Sequence, residues 1–287
     1  MNRILKILAI GVGTIATIAL CAATYIYVAS ERMVARTYDV PVTDFHAPRD
    51  AHAIEAGLRL ATIYGCNNCH GAKLNGTALW DAPGIARISA PNVSRIAREY
   101  SDGELERLIR RGVKRDGTST WLMPSAMFSH LTDEDLGNII AYVRSVPAID
   151  GVERELTLRA LGRIGVVTQK FQPVAQQIRG DEAHQPPDRS DPLSHGRYLV
   201  MTACTECHGA RLEGSEIVKA PSLLVAAAYS PDDFAKLMRT GTGLGNRELG
   251  LMGEVGRVRF ASFTDPEVDA VRTYLEAFVK QGGTSLP

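Results

Sequence analysis

Two five-residue stretches share one chemical pattern: Cys66-Asn67-Asn68-Cys69-His70 and Cys204-Thr205-Glu206-Cys207-His208. Two thiols one helical turn apart can each add across a vinyl group of a porphyrin. The adjacent imidazole then reaches the iron as an axial ligand. The pattern predicts two covalently attached haem c groups, one held by Cys66 and Cys69, the other by Cys204 and Cys207. His70 and His208 would ligate the two irons. The competing reading is one zinc ion shared by the two cysteine pairs, but zinc ribbons usually keep their pairs about 15–20 residues apart, far closer than these. A redox dithiol would leave the histidine after each pair unexplained.

The flanking elements repeat with the motifs, as in an internal duplication. Gly57-Leu58-Arg59-Leu60 precedes the first motif and Gly196-Arg197-Tyr198-Leu199 the second. Gly71-Ala72-Lys73-Leu74-Asn75-Gly76 follows the first, and Gly209-Ala210-Arg211-Leu212-Glu213-Gly214 the second. Ala90-Pro91-Asn92 then corresponds to Ala220-Pro221-Ser222. Ser101 with Glu104, and Ser230 with Asp233, predict helix starts of the capping-box kind. Thr132 with Asp135 and Thr264 with Glu267 predict the last helix of each half, with apolar stripes Leu136, Ile139, Ile140, Val143 and Val268, Val271, Leu275, Phe278. No alternating strand pattern competes, so each half reads as a small helical domain around one haem.

This order of elements resembles a class I c-type cytochrome, and the loop wording is similar to cytochrome subunits of membrane-bound periplasmic dehydrogenases. The resemblance implies an all-α chain of two tandem cytochrome c domains after one N-terminal transmembrane helix. The expected boundaries are 1–31 for the anchor, 50–147 and 194–280 for the domains, and 148–193 for the linker. It implies that the first and last helices of each half cross where Gly57 meets Tyr142 and where Gly196 meets Tyr274. It implies that the carbonyls of Pro91 and Pro221 accept the Nδ1 proton of His70 and His208, orienting each ring. It also implies a methionine on the far side of each iron. Met123 lies nine residues before Thr132 and is preferred to Met127, whose ordinary reading is a core contact. Met252, in the segment before Phe260, lies twelve residues before Thr264, so that loop is three residues longer. Met238 and Met201 fall on helical stripes. His46, His52, His130, His184 and His195 are further candidate ligands in principle, of which His130, before a helix cap, and His195, in the first helix of its half, read as surface or capping residues.

The first segment places these domains. From Ile7 to Ser30 no residue is charged. As a helix it would span roughly 36 Å, against a hydrocarbon core of about 30 Å. Arg3 and Lys6 precede it, which leaves the N-terminus in the cytoplasm and the rest outside, with Tyr25 and Tyr27 at the interface. A cleaved signal has a shorter apolar core, about 7–15 residues, and Leu20 is too large for a lipoprotein site at Cys21. The expected location is therefore the bacterial inner membrane, single-pass, with both haems in the periplasm.

A formal net charge of zero argues against a nucleic-acid partner, which needs a basic surplus. The basic run Arg107, Arg110, Arg111, Lys114 and Arg115 reads as a solvated helix face, or more sharply as a dock for an acidic partner or for haem propionates. The stretch between the halves, with Gln185-Pro186-Pro187-Asp188, is too long for a plain connection. Leu156, Leu158, Ile164 and Val166 would pack it across both domains. The expected function is electron transfer without catalysis, from a periplasmic dehydrogenase or other redox protein toward a quinone or a terminal oxidase. A dihaem peroxidase with one open iron, or a wiring subunit of an oxidase, are the alternatives.

Overall fold

The computed structural model describes residues 3–178 and 189–283; His184 and Gln185-Pro186-Pro187-Asp188 lie outside them. Helix α1 (Arg3–Val34) is long and apolar enough to cross a membrane, and none of its most apolar stretch is buried against protein. The chain then runs as an extended strap along the first half, where Tyr38 N donates to Gly117 O (2.9 Å) and Ala47 N to the Asp102 carboxylate (2.9 Å).

The first half follows as α2 (Ala51–Ile63), α3 (Cys66–His70), strands β1 (Thr77–Ala82) and β2 (Ala86–Ala90), α4 (Val93–Glu99), α5 (Asp102–Arg111), α6 (Ser125–Phe128) and α7 (Asp133–Ser145). Ser101 and Glu104 form a complete capping box on α5. Helices α2 and α7 cross at Gly57, where a Cβ would stand 1.9 Å from Asn138 O and 2.8 Å from Tyr142 Cβ. The implied Gly–Tyr crossing is thus made by a backbone contact that excludes any side chain at Gly57.

The all-α expectation needs a correction. Strands β1 and β2 form an antiparallel hairpin, and β3 (Leu156–Leu158) adds to β2 to complete a three-stranded sheet. Pro83 and Gly84 occupy the centre of its turn, closed by Ile85 N to Ala82 O (3.0 Å), with Gly84 at φ 76° as a type II turn requires. The segment carrying β3 continues as α8 (Ala160–Val167) and α9 (Val174–Gln177). It does not pack across both halves as expected. Leu158 and Val166 are buried with Ala86, Ile88 and Trp121, and Leu156 packs with them beside Met33 and Val34 of α1. Ile164 stays exposed. Arg163 of α8 lies over the Tyr27 ring at 4.3 Å and donates to Ser30 Oγ (2.8 Å) and Glu31 (2.6 Å), fastening this layer to the C-terminal end of α1.

The second half comprises α10 (Pro192–Ala203), α11 (Thr205–His208), α12 (Pro231–Thr240), α13 (Leu251–Val258) and α14 (Asp265–Lys280). Helices α10 and α14 cross at Gly196 as α2 and α7 do at Gly57: a Cβ would stand 1.9 Å from Ala270 O and 2.9 Å from Tyr274 Cβ. One buried apolar cluster runs through both halves, from Leu60 and Ile140 to Leu199 and Phe278. Polar ties cross the same boundary: Arg59 pairs with Glu267 (2.8 Å), Tyr198 donates to Asp135, and Arg189 pairs with Glu134 (2.9 Å) over the Tyr198 ring.

The basic run on α5 is neither a solvated face nor a docking face at its centre. Arg110 is 2% exposed and bonds Leu131 O (2.8 Å) and Asp133 (2.7 Å), while Arg107 bonds Val40 O (3.1 Å) and Lys114 O (2.9 Å). Arg115 grips Glu104 at 2.6 Å and covers the Tyr100 ring. Hydrogen bonds from Arg115 hold the Glu104 carboxyl down at about 2. Asp102 is also lowered: burial alone would raise it, but the Ala47 N–H and the Arg144 guanidinium outweigh that. Both groups have folded values below their unfolded ones, so their contribution is present above pH ~4 and is lost as pH falls toward 2. Urea midpoints measured from pH 5 to pH 2 should fall through that window, and Glu104→Gln should flatten the fall. Parallel curves for the two proteins would refute the assignment.

Candidate haem sites

Each cysteine motif begins where a helix is broken. Gly65, at φ 75°, turns the chain from α2 into α3, and its carbonyl accepts from Asn68 N and Cys69 N. None of the four motif cysteines is paired in a disulfide. Burial pushes the Cys66 and Cys204 thiols up to about 12, and raises Cys69 and Cys207 as well. Among the described residues, no three His, Cys, Asp or Glu side chains gather as ligands for one metal ion.

His70 Nδ1 lies 2.9 Å from Pro91 O, and His208 Nδ1 lies 2.8 Å from Pro221 O. A carbonyl can only accept, so each bond puts the proton on Nδ1 and leaves the Nε2 lone pair free for a metal. Burial lowers the pKa of both rings, favouring the neutral form that ligation requires. The Pro91 carbonyl is itself held in place. Its neighbour Asn92 receives Ser94 Oγ (2.6 Å) and donates to Ile149 O (2.7 Å) and Val152 O (3.0 Å). The segment after α7 thus orients His70 through one intermediary. The loops after the motifs match in detail: Gly76 N to His70 O and Gly214 N to His208 O are each 2.8 Å, and the buried Leu74 and Leu212 both take left-handed backbone at φ 53° and 61°.

A cavity of about 920 Å³ opens beside the first motif, lined by Cys66, Cys69, His70 and Met123 with apolar Leu105 and Ile140. That is within the range of cofactor pockets. Thr120 Oγ1, in the same wall, is buried without a partner, as is expected where a polar edge of a bound group would lie. A haem fits this donor set: two thiols, one oriented imidazole, one thioether and an apolar wall. Met127 is buried in the core and does not line the cavity.

The second half places His208 in a buried position and Met252 half-buried against the shared core. Met252 is not in a loop: the segment expected to be an expanded loop folds as α13, with Met252 in its first turn. The halves also differ behind the motif. Tyr142 OH donates to Asn67 (3.3 Å), whereas Tyr274 OH is buried without a partner, because Thr205 replaces Asn67 and donates to Met201 O (2.8 Å). Sequence reasoning missed Arg259. Its Nε donates to Ile63 O (2.8 Å) and it faces Glu206 at 3.6 Å, placing a buried guanidinium beside both motifs. An arginine just after α13, two residues from Arg257, carries no sequence signal of that position.

Residues 54–147 match the cytochrome c family model. This stretch is a cytochrome c domain. Beyond it, the chain is 26% identical to the fructose dehydrogenase cytochrome subunit of Gluconobacter japonicus, over 80% of this chain and 54% of that protein. It is 25% identical to the cytochrome c subunit of the quinone-type alcohol dehydrogenases of Gluconacetobacter polyoxogenes and Komagataeibacter europaeus, over 79% of this chain and 56% of theirs. The chain therefore spans about half the length of the curated relatives it matches. The alignments reach well outside the cytochrome c domain of residues 54–147.

Proposed function

We propose that the chain is a dihaem electron-transfer subunit, anchored in the bacterial inner membrane by α1 with its haem domains in the periplasm. The observation that carries this reading is the repeated unit: a Cys-x-x-Cys-His segment whose histidine Nδ1 is bonded to a proline carbonyl, once in residues 50–147 and again in 194–280. Cys66, Cys69, Cys204 and Cys207 would hold two haem c groups, with His70 and Met123 on one iron and His208 and Met252 on the other. Each bound haem supplies a one-electron iron couple. The chain's own contribution would be to orient the imidazoles through Pro91 and Pro221, to offer a histidine and a methionine donor to each iron, and to keep water from the pocket with apolar walls. Residues 148–193 would join the two domains. The likeness to dehydrogenase cytochrome subunits supports a periplasmic dehydrogenase as electron donor, with a quinone or a terminal oxidase pathway as acceptor. The chain itself would carry electrons and not act on a substrate.

The test is an alkaline pyridine spectrum for haem content, followed by the reduced spectrum with and without carbon monoxide. Two haems per chain and no prompt spectral change are expected. Prompt gas binding by one haem of the unmodified protein would replace the carrier with a reactive, peroxidase-like site.

A further inference from the structure

The two attachment motifs meet around one buried cation. Arg259 follows α13, and its side chain is only 10% exposed although it carries a full charge. Its Nε donates to Ile63 O (2.8 Å), three residues before Cys66. Its guanidinium carbon lies 3.0 Å from where a Cβ on Gly65 would sit, so glycine there suits the left-handed turn and leaves room for the arginine. On the other side, Nη1 is 3.6 Å from the Glu206 carboxylate, inside the second motif. Nη2 is buried with no hydrogen-bond partner. Arg259 and Glu206 both line the cavity that holds Cys66, Cys69 and His70.

We infer that Arg259 is a positioning residue shared by the two haem sites: one buried cation between the attachment motifs that raises the reduction potential of both haems. This rests on the dihaem reading. Reduction adds one electron to an iron, and a fixed positive charge nearby favours the electron-rich state, the more so in a weakly polarisable interior. Arginine keeps its charge at any working pH, so the bias is permanent. Glu206, half-exposed across from it, opposes the effect with a weaker, solvent-screened charge. The same contact sets the two motifs one side chain apart, which gives an electron a short route between domains.

The test uses full-length protein carrying its haems, with potentials read by spectroelectrochemical titration. Arg259→Gln should weaken reduction of both haems by about tenfold in equilibrium constant, about 59 mV for a one-electron couple. Arg259→Lys should keep most of the native potentials. Glu206→Gln should shift both haems the opposite way, and because Glu206 lies half-exposed it tests the sign even if Arg259→Gln fails to fold. A shift in only one haem, no shift, or shifts of the same sign from Arg259→Gln and Glu206→Gln would overturn the inference. A merely structural arginine gives that last result, since loosening either side of the contact admits water alike. One haem per chain in the unmodified protein would instead defeat the dihaem reading, and this inference with it.

Discussion

An alanine at Gly196 or Gly57 is expected to remove about 3 kcal/mol or more of folding stability, although alanine ordinarily stabilises a helix by about 1 kcal/mol over glycine. The added carbon would stand 1.9 Å from a helix carbonyl oxygen, Ala270 O in one case and Asn138 O in the other. Neither oxygen can swing away as a side-chain end can, because each belongs to the backbone of a helix packed along its length. The helices must therefore separate by more than an ångström, and that movement loosens Tyr274 or Tyr142, whose Cβ atoms are the next neighbours. Gly165 on α8 is the matched control. There a Cβ would meet Phe171 at 3.7 Å, an ordinary contact, so Gly165→Ala should be neutral or slightly stabilising. Urea denaturation of the haem-loaded proteins, followed by far-ultraviolet circular dichroism, separates the cases. Gly196→Ala or Gly57→Ala as stable as the parent would mean that the helix pairs do not approach as closely as described.

What could be read in advance was local, and what could not depended on distant partners. The caps at Ser101 and Thr264 close as full boxes because both members lie within four residues. Thr132 caps α7 from one side only, because Asp135 is turned toward Tyr198 and Arg189 instead. The cysteine motifs and their prolines were legible for the same reason, spacing being the signal. The sheet was not: Pro83-Gly84 marks a turn, but β2 becomes a central strand only because β3 returns from beyond α7. Arg107 and Arg110 look like surface charge until Val40, Leu131 and Asp133 arrive from other elements to receive them. Arg259 is the extreme case, its acceptor Ile63 lying in the other half of the chain.

Met123→Ala is expected to open one iron to carbon monoxide while costing little stability, and Met127→Ala is expected to do the reverse. Met123 is half-buried on the cavity that also holds His70, so on the proposed reading its loss would remove a ligand more than a packing contact. A thioether opposite histidine favours the reduced iron. The variant haem should accordingly be harder to reduce and lose its near-infrared methionine–iron absorption. Met127 is 3% exposed and away from the cavity wall; truncating it should cost about 2–5 kcal/mol and leave the reduced spectrum and its indifference to carbon monoxide unchanged. Met252→Ala should open the other iron, so that each single variant binds half the gas of the Met123→Ala, Met252→Ala double variant. Here the helical setting makes the result informative. Met252 sits in the first turn of α13, so the backbone carries it on a rigid element and not on a loop free to adjust. If Met252→Ala leaves both irons closed, the second haem takes its distal ligand elsewhere. If Met127→Ala opens an iron and Met123→Ala does not, the first-site assignment is reversed.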